Sequence, residues 1–290
     1  MSRPEPVHER RFDLSGGLRL AARVHHAGAP HRVLAVHGWL DNAASFDALA
    51  AHLPDCELVA LELAGHGRSG HRPAGAWYHY VDYLDELVEV LDRLGWQQSH
   101  WLGHSLGGAL LSLLAAARPE RVGRLVLLES GGPLGGHAGN AVTQLRRGLD
   151  DRARYRPGRR PRVFADIGQA VAARRQANPG LSEPAATALV ERGLAAVEGG
   201  WTWSSDPRLT LASPFRVDEM QVRALLAAIA CPTLVLLADP PMPYLTPEDR
   251  AARMAALAGA RIQTLPGHHH LHMETPAPVA EVLRPFLAGA

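Results

Sequence analysis

The sequence predicts an α/β protein: a mostly parallel central sheet, covered by helices on both faces, with a helical cap inserted in its second half. Three observations carry this. Short apolar runs of strand length alternate with helix-period segments as far as about residue 130. From there to Ala228 the pattern changes to Gly-rich, Arg-rich and helix-like sequence. The buried-strand signal then returns at Leu234-Val235-Leu236-Leu237. The chain accordingly divides into a first core portion (1–130), a cap (131–228) and a second core portion (229–290), and an insert of roughly a hundred residues is of ordinary subdomain size.

Each element has its own signal. Arg19 to Val24 and Val33-Leu34-Ala35-Val36 read as strands, the second fully apolar and ending in His37-Gly38. Leu58-Val59-Ala60-Leu61 is a third. Leu84, Leu87, Val88, Leu91 and Leu94 mark one face of a helix over Tyr80 to Leu94, which Gly95 closes as a C-cap. Ser99 to Leu102 ends a short strand, and Ala109 to Ala117 is helix-forming sequence that stops near Pro119. Leu125 to Leu128 is a further buried strand. After the cap, Pro247 to Leu257 reads as helix, Arg261 to Leu265 as strand and Val279 to Leu287 as the last helix.

Composition narrows the function classes. A chain of 290 residues can bury one large core. Its formal charge is +1, with 30 basic and 29 acidic residues, which argues against a nucleic-acid or membrane-surface role. Every basic residue is arginine, a bias we attribute to genome composition. Cys56 and Cys231 lie beside apolar strand-like segments and read as buried free thiols rather than a disulfide. Met1 to Arg11 lacks an apolar signal region, and no apolar run has the length of a membrane span. A soluble, cytoplasmic protein with a small-molecule substrate is the expectation; oligomeric state is open.

Residues 103 to 108 read Gly-His-Ser-Leu-Gly-Gly, between a strand and a helix. G-x-S-x-G in that setting forms a sharp, strained turn that lifts the serine above the sheet, with glycines where the packed elements leave no room. A serine hydroxyl is a poor nucleophile at neutral pH and needs a base within hydrogen-bond reach. In this type of site the order is serine, acid, histidine, so the base lies downstream. Pro266-Gly267-His268-His269-His270-Leu271-His272-Met273-Glu274 supplies it just after the last strand.

These stretches, with His37 to Phe46 (HGWLDNAASF) and Glu62 to Ser69 (ELAGHGRS), resemble the α/β-hydrolase fold superfamily, and within it the serine hydrolase-like proteins. The resemblance spans both core portions and is weaker in the cap. It implies the α/β-hydrolase fold with Ser105 as nucleophile. It implies His269 as base, three residues before His272-Met273-Glu274, ahead of His268 and His270. The oxyanion donors it implies are the backbone N–H groups of Leu106 and Trp39. The acid is open between two residues. Relatives usually place it after the seventh strand, where this chain has Ala238-Asp239-Pro240-Pro241, so Asp239 sits two residues early. Glu129, at the end of the preceding strand, is the favoured alternative; it is otherwise a carboxylate that hydrogen-bonds a loop.

The expected activity is that of a serine hydrolase on a carboxylic ester or related acyl compound, with no metal or organic cofactor. Serine at the elbow, where dehalogenase- and epoxide hydrolase-like relatives carry Asp, argues against those reactions. A carbon–carbon bond hydrolase, a cofactor-free perhydrolase and a degenerate small-molecule binding protein are the competing readings. The histidine cluster has no Cys or carboxylate ligand pattern nearby in sequence, which speaks against metal. Glu62 to Ser69 reads as a structural turn shaped by Arg68. The run Arg152, Arg154, Arg156, Arg159, Arg160 and Arg162 reads as a solvated cap entrance. Trp201, Trp203 and Phe215 line the substrate pocket or pack the cap; no substrate-binding residue is assigned.

Overall fold

Four consecutive apolar residues, as in Val33–Val36, have no side that tolerates water, and in the fold both sides are covered. The protein is described by a computed structural model covering residues 7–158 and 162–289. Its strands β1 (His8–Asp13), β2 (Arg19–His25), β3 (His31–Val36), β4 (Cys56–Leu61), β5 (Ser99–His104), β6 (Val122–Leu128), β7 (Leu194–Val197), β8 (Gly200–Trp203), β9 (Thr233–Asp239) and β10 (Arg261–Pro266) follow in chain order. An 8-stranded sheet has the order β1-β2-β4-β3-β5-β6-β9-β10. The first two pairings are antiparallel and the rest parallel. β6 and β9 are neighbours although the cap separates them in sequence, so the chain leaves the sheet after one and re-enters beside it.

Helices α1 (Asp47–Ala50), α2 (Asp82–Leu94), α3 (Leu106–Ala117), α4 (Ala141–Arg154), α5 (Ile167–Ala177), α6 (Glu183–Gly193), α7 (Glu219–Ala227), α8 (Pro247–Ala256), α9 (Leu271–Glu274) and α10 (Pro276–Ala288) complete the fold. Alternate residues of each buried strand feed two cores. Leu34 and Val36 pack with Leu87 and Leu91 of α2 and Leu110 and Leu114 of α3. Val33 and Ala35 pack with Leu49 of α1 and Val279, Leu283 and Phe286 of α10. Gly95 ends α2 at φ 69°, the left-handed cap the sequence indicates.

The cap differs from its expected form in two respects. It is not wholly helical, since β7 and β8 form an antiparallel hairpin beside α5 and α6. Also, α7 buries Val222 and Leu226 in the core with α3, so the expected boundary at 228 falls beyond a helix that packs as core. The cap has a small apolar centre of its own, in which Phe164, Val171, Leu189 and Val190 meet Met273 from the core. Trp201 and Trp203 pack against that centre, and Phe215 is exposed. Among the described residues, no helix is long and apolar enough to cross a membrane. Both cysteines are free, Cys56 buried and Cys231 half-buried; burial pushes the Cys56 thiol up to about 11.

Candidate active site

The turn between β5 and α3 holds Ser105 at φ 50°, ψ −112°, in the left-handed region that a non-glycine residue enters only under constraint. Its backbone N–H donates to Leu128 O at 3.0 Å, and Gly107 N–H donates to His37 O at 3.0 Å. The glycines are dictated by contact. A Cβ on Gly107 would stand 1.9 Å from Val36 O, and one on Gly103 would stand 2.4 Å from Gly108. The strand–turn–helix geometry thus closes only with hydrogen as the side chain at both positions.

At the end of β6, Glu129 is likewise at positive φ, 48°. Its N–H donates to Leu236 O, and its side chain turns into the protein, 4% exposed. Oε1 accepts from Ala238 N–H at 2.6 Å, and Oε2 accepts from His269 Nδ1 at 3.3 Å. Asp239 is exposed; its carbonyl accepts from Gly267 N–H, while its carboxylate makes no hydrogen bond among the described residues. Of the two candidate acids, Glu129 is therefore the one in contact with His269.

His269 follows β10 in a tight turn, with the Tyr244 ring edge-on to it at 5.2 Å. Burial pulls its imidazole below the ordinary value, and the bond to Glu129 works in the opposite direction. Its neighbours have other partners. His268 is exposed, His270 Nε2 donates to Asp41 Oδ2 at 3.2 Å, and His272 Nε2 lies 2.7 Å from Ser45 Oγ. His104 Nε2 donates to the His269 carbonyl at 2.8 Å, which brings the residue before Ser105 onto the histidine turn. Among the described residues the Ser105 hydroxyl makes no hydrogen bond. A catalytic contact of this kind is often formed only with substrate in place.

The Leu106 N–H opens α3, and Trp39 N–H lies in the turn after β3. Neither donates to a protein acceptor among the described residues. His37 braces that turn: Nε2 accepts from Leu63 N–H at 3.1 Å and Nδ1 donates to Gly38 O at 2.7 Å. Burial lowers its pKa, consistent with the neutral ring those two bonds require. Trp39 is 52% exposed, with its ring Nε1 donating to Leu209 O of the cap segment.

Sequence reasoning did not single out Asp41. It is buried, with Oδ2 3.4 Å from His104 Nδ1, and it pairs with Arg174 of α5. Asp41, His104 and His270 each offer one possible ligand atom, and these atoms lie within 4.8 Å of one another. The carboxylate absent from the local histidine pattern is thus supplied from far away in the chain. Three such donors can hold a divalent cation, but here the Arg174 guanidinium already brings positive charge to Asp41. Burial opposes ionisation of Asp41, yet His270, His104 and Arg174 together hold its carboxyl well below the usual carboxylate range.

The turn after β4 owes its shape to Glu62 rather than to the Arg68 side chain. The Glu62 carboxylate, fully buried, accepts from Arg68 N–H at 2.8 Å and from Arg192 of α6 at 2.6 Å. The Arg68 guanidinium instead reaches out to Glu9. In the arginine run, Arg152 lies over Trp77 at 4.1 Å, and Arg154, Arg156 and Arg162 are exposed. Arg159 and Arg160 lie outside the described residues.

Comparison with known proteins agrees with this architecture. The sequence model of the alpha/beta hydrolase family matches residues 33–282. A serine hydrolase-like protein of Danio rerio is 31% identical over 264 residues, covering 88% of this chain and 81% of that one. Serine hydrolase-like protein 2 of Homo sapiens is 29% identical over 272 residues, covering 88% and 86%. Among solved structures, a hypothetical protein of Pseudomonas aeruginosa superposes with a TM-score of 0.89 at 39% identity, over 97% of this chain and 99% of that one. A thioesterase domain from the curacin biosynthetic pathway superposes with a TM-score of 0.84 at 27% identity, over 97% and 100%.

Proposed function

The chain belongs to the α/β-hydrolase family, and from that premise we propose that it is a serine hydrolase acting on a carboxylic ester or related acyl substrate. Ser105 Oγ attacks the carbonyl carbon while His269 takes its proton. Glu129, bonded to His269 Nδ1, keeps Nε2 free to act as base and stabilises the imidazolium that forms. The oxyanion is received by the N–H groups of Leu106 and Trp39. His269 returns the proton to the leaving group, and the acyl-enzyme is cleaved by water activated by the same ring.

The observation that carries this reading is the Glu129–His269 pair beside the strained Ser105 turn, with His104 tying the two together. A thioester belongs to the same acyl class, and the likeness to a thioesterase domain supports including one among the substrates tried. The test is hydrolysis of short-chain p-nitrophenyl esters and an acyl thioester by the wild type and by Ser105→Ala. Turnover that disappears with the serine is the expected result. Turnover that survives Ser105→Ala refutes the assignment, and tight ligand binding without turnover in the wild type favours a binding protein.

A further inference from the structure

We propose that Asp41 and Arg174 form a positioning pair through which the seating of the cap sets the catalytic geometry, an inference that rests on the serine hydrolase reading above. Asp41 lies in the turn after β3, where its N–H donates to Gly38 O at 3.1 Å. Its side chain is 1% exposed and touches three parts of the molecule at once. On one side is His104, the residue before the nucleophile, with Nδ1 3.4 Å from Oδ2. On another is His270, the residue after the base, with Nε2 3.2 Å from the same oxygen. The third is Arg174, which reaches across from cap helix α5 and pairs with Oδ1.

Two further bonds connect this carboxylate to the reacting groups. His104 Nε2 donates to the His269 carbonyl at 2.8 Å, so the ring that faces Asp41 also fixes the backbone of the base. Arg174 Nη1 donates to Leu40 O at 3.1 Å. Leu40 follows Trp39, whose N–H is a proposed oxyanion donor, and it is held at φ 60°, a conformation that needs external support. One buried carboxylate and one cap arginine therefore brace the residues that follow the base and the oxyanion donor, and the carboxylate packs against the ring of the residue before the nucleophile.

The pair is coupled to the cap by charge. A buried carboxylate persists as an ion only with a compensating partner. Among the described residues, Arg174 is the one partner in contact with Asp41 that is always charged. When α5 lifts away, Asp41 loses that charge and Leu40 loses its donor. The contacts to His104 and His270 must then rearrange. The site is complete only with the cap seated, so a substrate that holds the cap down also assembles the machinery that cleaves it. Small displacements of reacting groups are enough to matter, since about 1 Å can cost on the order of a hundredfold in rate.

The test compares Arg174→Gln, Arg174→Lys and Asp41→Asn with Arg175→Gln, whose arginine lies on the same helix and pairs outward with Glu183. On p-nitrophenyl butyrate, Arg174→Gln is expected to lower kcat by about tenfold or more with KM little changed. Lysine should restore most of that loss, and Arg175→Gln should match the wild type. Should Arg174→Gln fail to fold, Asp41→Asn carries the same expectation. A kcat within about twofold of wild type in the folded variant, or a raised KM at unchanged kcat, overturns the proposal. A second readout needs no turnover: ring ¹⁵N shifts of His269 in the resting protein should change in Arg174→Gln and not in Arg175→Gln. Unchanged shifts overturn the positioning role even if no ester is ever found to be a substrate.

Discussion

Glu129 is held from two sides, by Ala238 N–H on one oxygen and His269 on the other, in a backbone conformation at φ 48°. A carboxylate that only braced a loop would not need its second oxygen turned to an imidazole. Glu129→Gln keeps the shape but removes the charge, and it should lower kcat by about a hundredfold or more. Asp239→Asn, whose side chain is exposed, should stay within about twofold. Steady-state kinetics of the two variants settle the order, and the reverse order defeats the assignment of the acid. His269 adds a pH prediction. In the proposed mechanism only its neutral ring can accept the serine proton, and burial lowers its pKa, so activity should be full near pH 7 and fall only at pH below the usual histidine value of about 6.5. Because the Glu129 contact raises that pKa, Glu129→Gln should move the acid limb of the kcat/KM profile to still lower pH. A limb centred above 7 in the wild type would contradict this. Ser105 could be proposed from sequence because it lies in a short local motif, and His269 and Glu129 because the resemblance points to them, with the structure bringing the latter two into contact. Asp41 could not be, because its meaning depends on Arg174, 133 residues away, and on His270, 229 residues away.

At the scale of elements, the turn from β5 to α3 is the tightest constraint on the fold. Gly107→Ala would force a carbon to 1.9 Å from the Val36 carbonyl, and neither the strand nor the helix has slack to withdraw. We expect a loss of about 3 kcal/mol or more in unfolding free energy, or failure to accumulate folded protein. Gly16→Ala, where nothing lies within 4 Å of the added carbon, should remain within about 0.5 kcal/mol of wild type. Urea unfolding followed by tryptophan fluorescence compares them, and equal stabilities would mean that the turn relaxes freely. The buried parallel strands were legible because runs such as Leu125–Leu128 admit no other placement. β1 was missed because it is a largely exposed edge strand that pairs only with β2, so its sequence, HERRFD, has little apolar content to betray it. β7 was missed because it leaves α6 without a break, and the sequence across the junction, LVERGLAAV, reads as helix throughout. There the pairing with β8 overrides local propensity.

At the scale of the whole molecule, core and cap meet at a junction where charge is prominent. The cap's apolar centre takes Met273 from the core, while Arg174–Asp41 and Arg192–Glu62 cross between the two. Arg192 is deeply buried and bridges Glu62, which is fully enclosed, to Glu9 on the edge strand. A buried pair adds little stability over an apolar replacement, but removing one member leaves an uncompensated charge. Arg192→Met should therefore destabilise the protein by about 3–5 kcal/mol. Much of that cost belongs to the stranded carboxylate rather than to the lost contact. Adding Glu62→Gln to Arg192→Met should thus recover part of the stability: the amide carries no charge, and its one oxygen can still accept from either Ala43 N–H or Arg68 N–H, which donate to separate carboxylate oxygens. Urea unfolding of the single and double variants separates the two contributions. A double variant no more stable than the single one would show that Arg192 holds the cap by its bonds and packing, and not by neutralising Glu62.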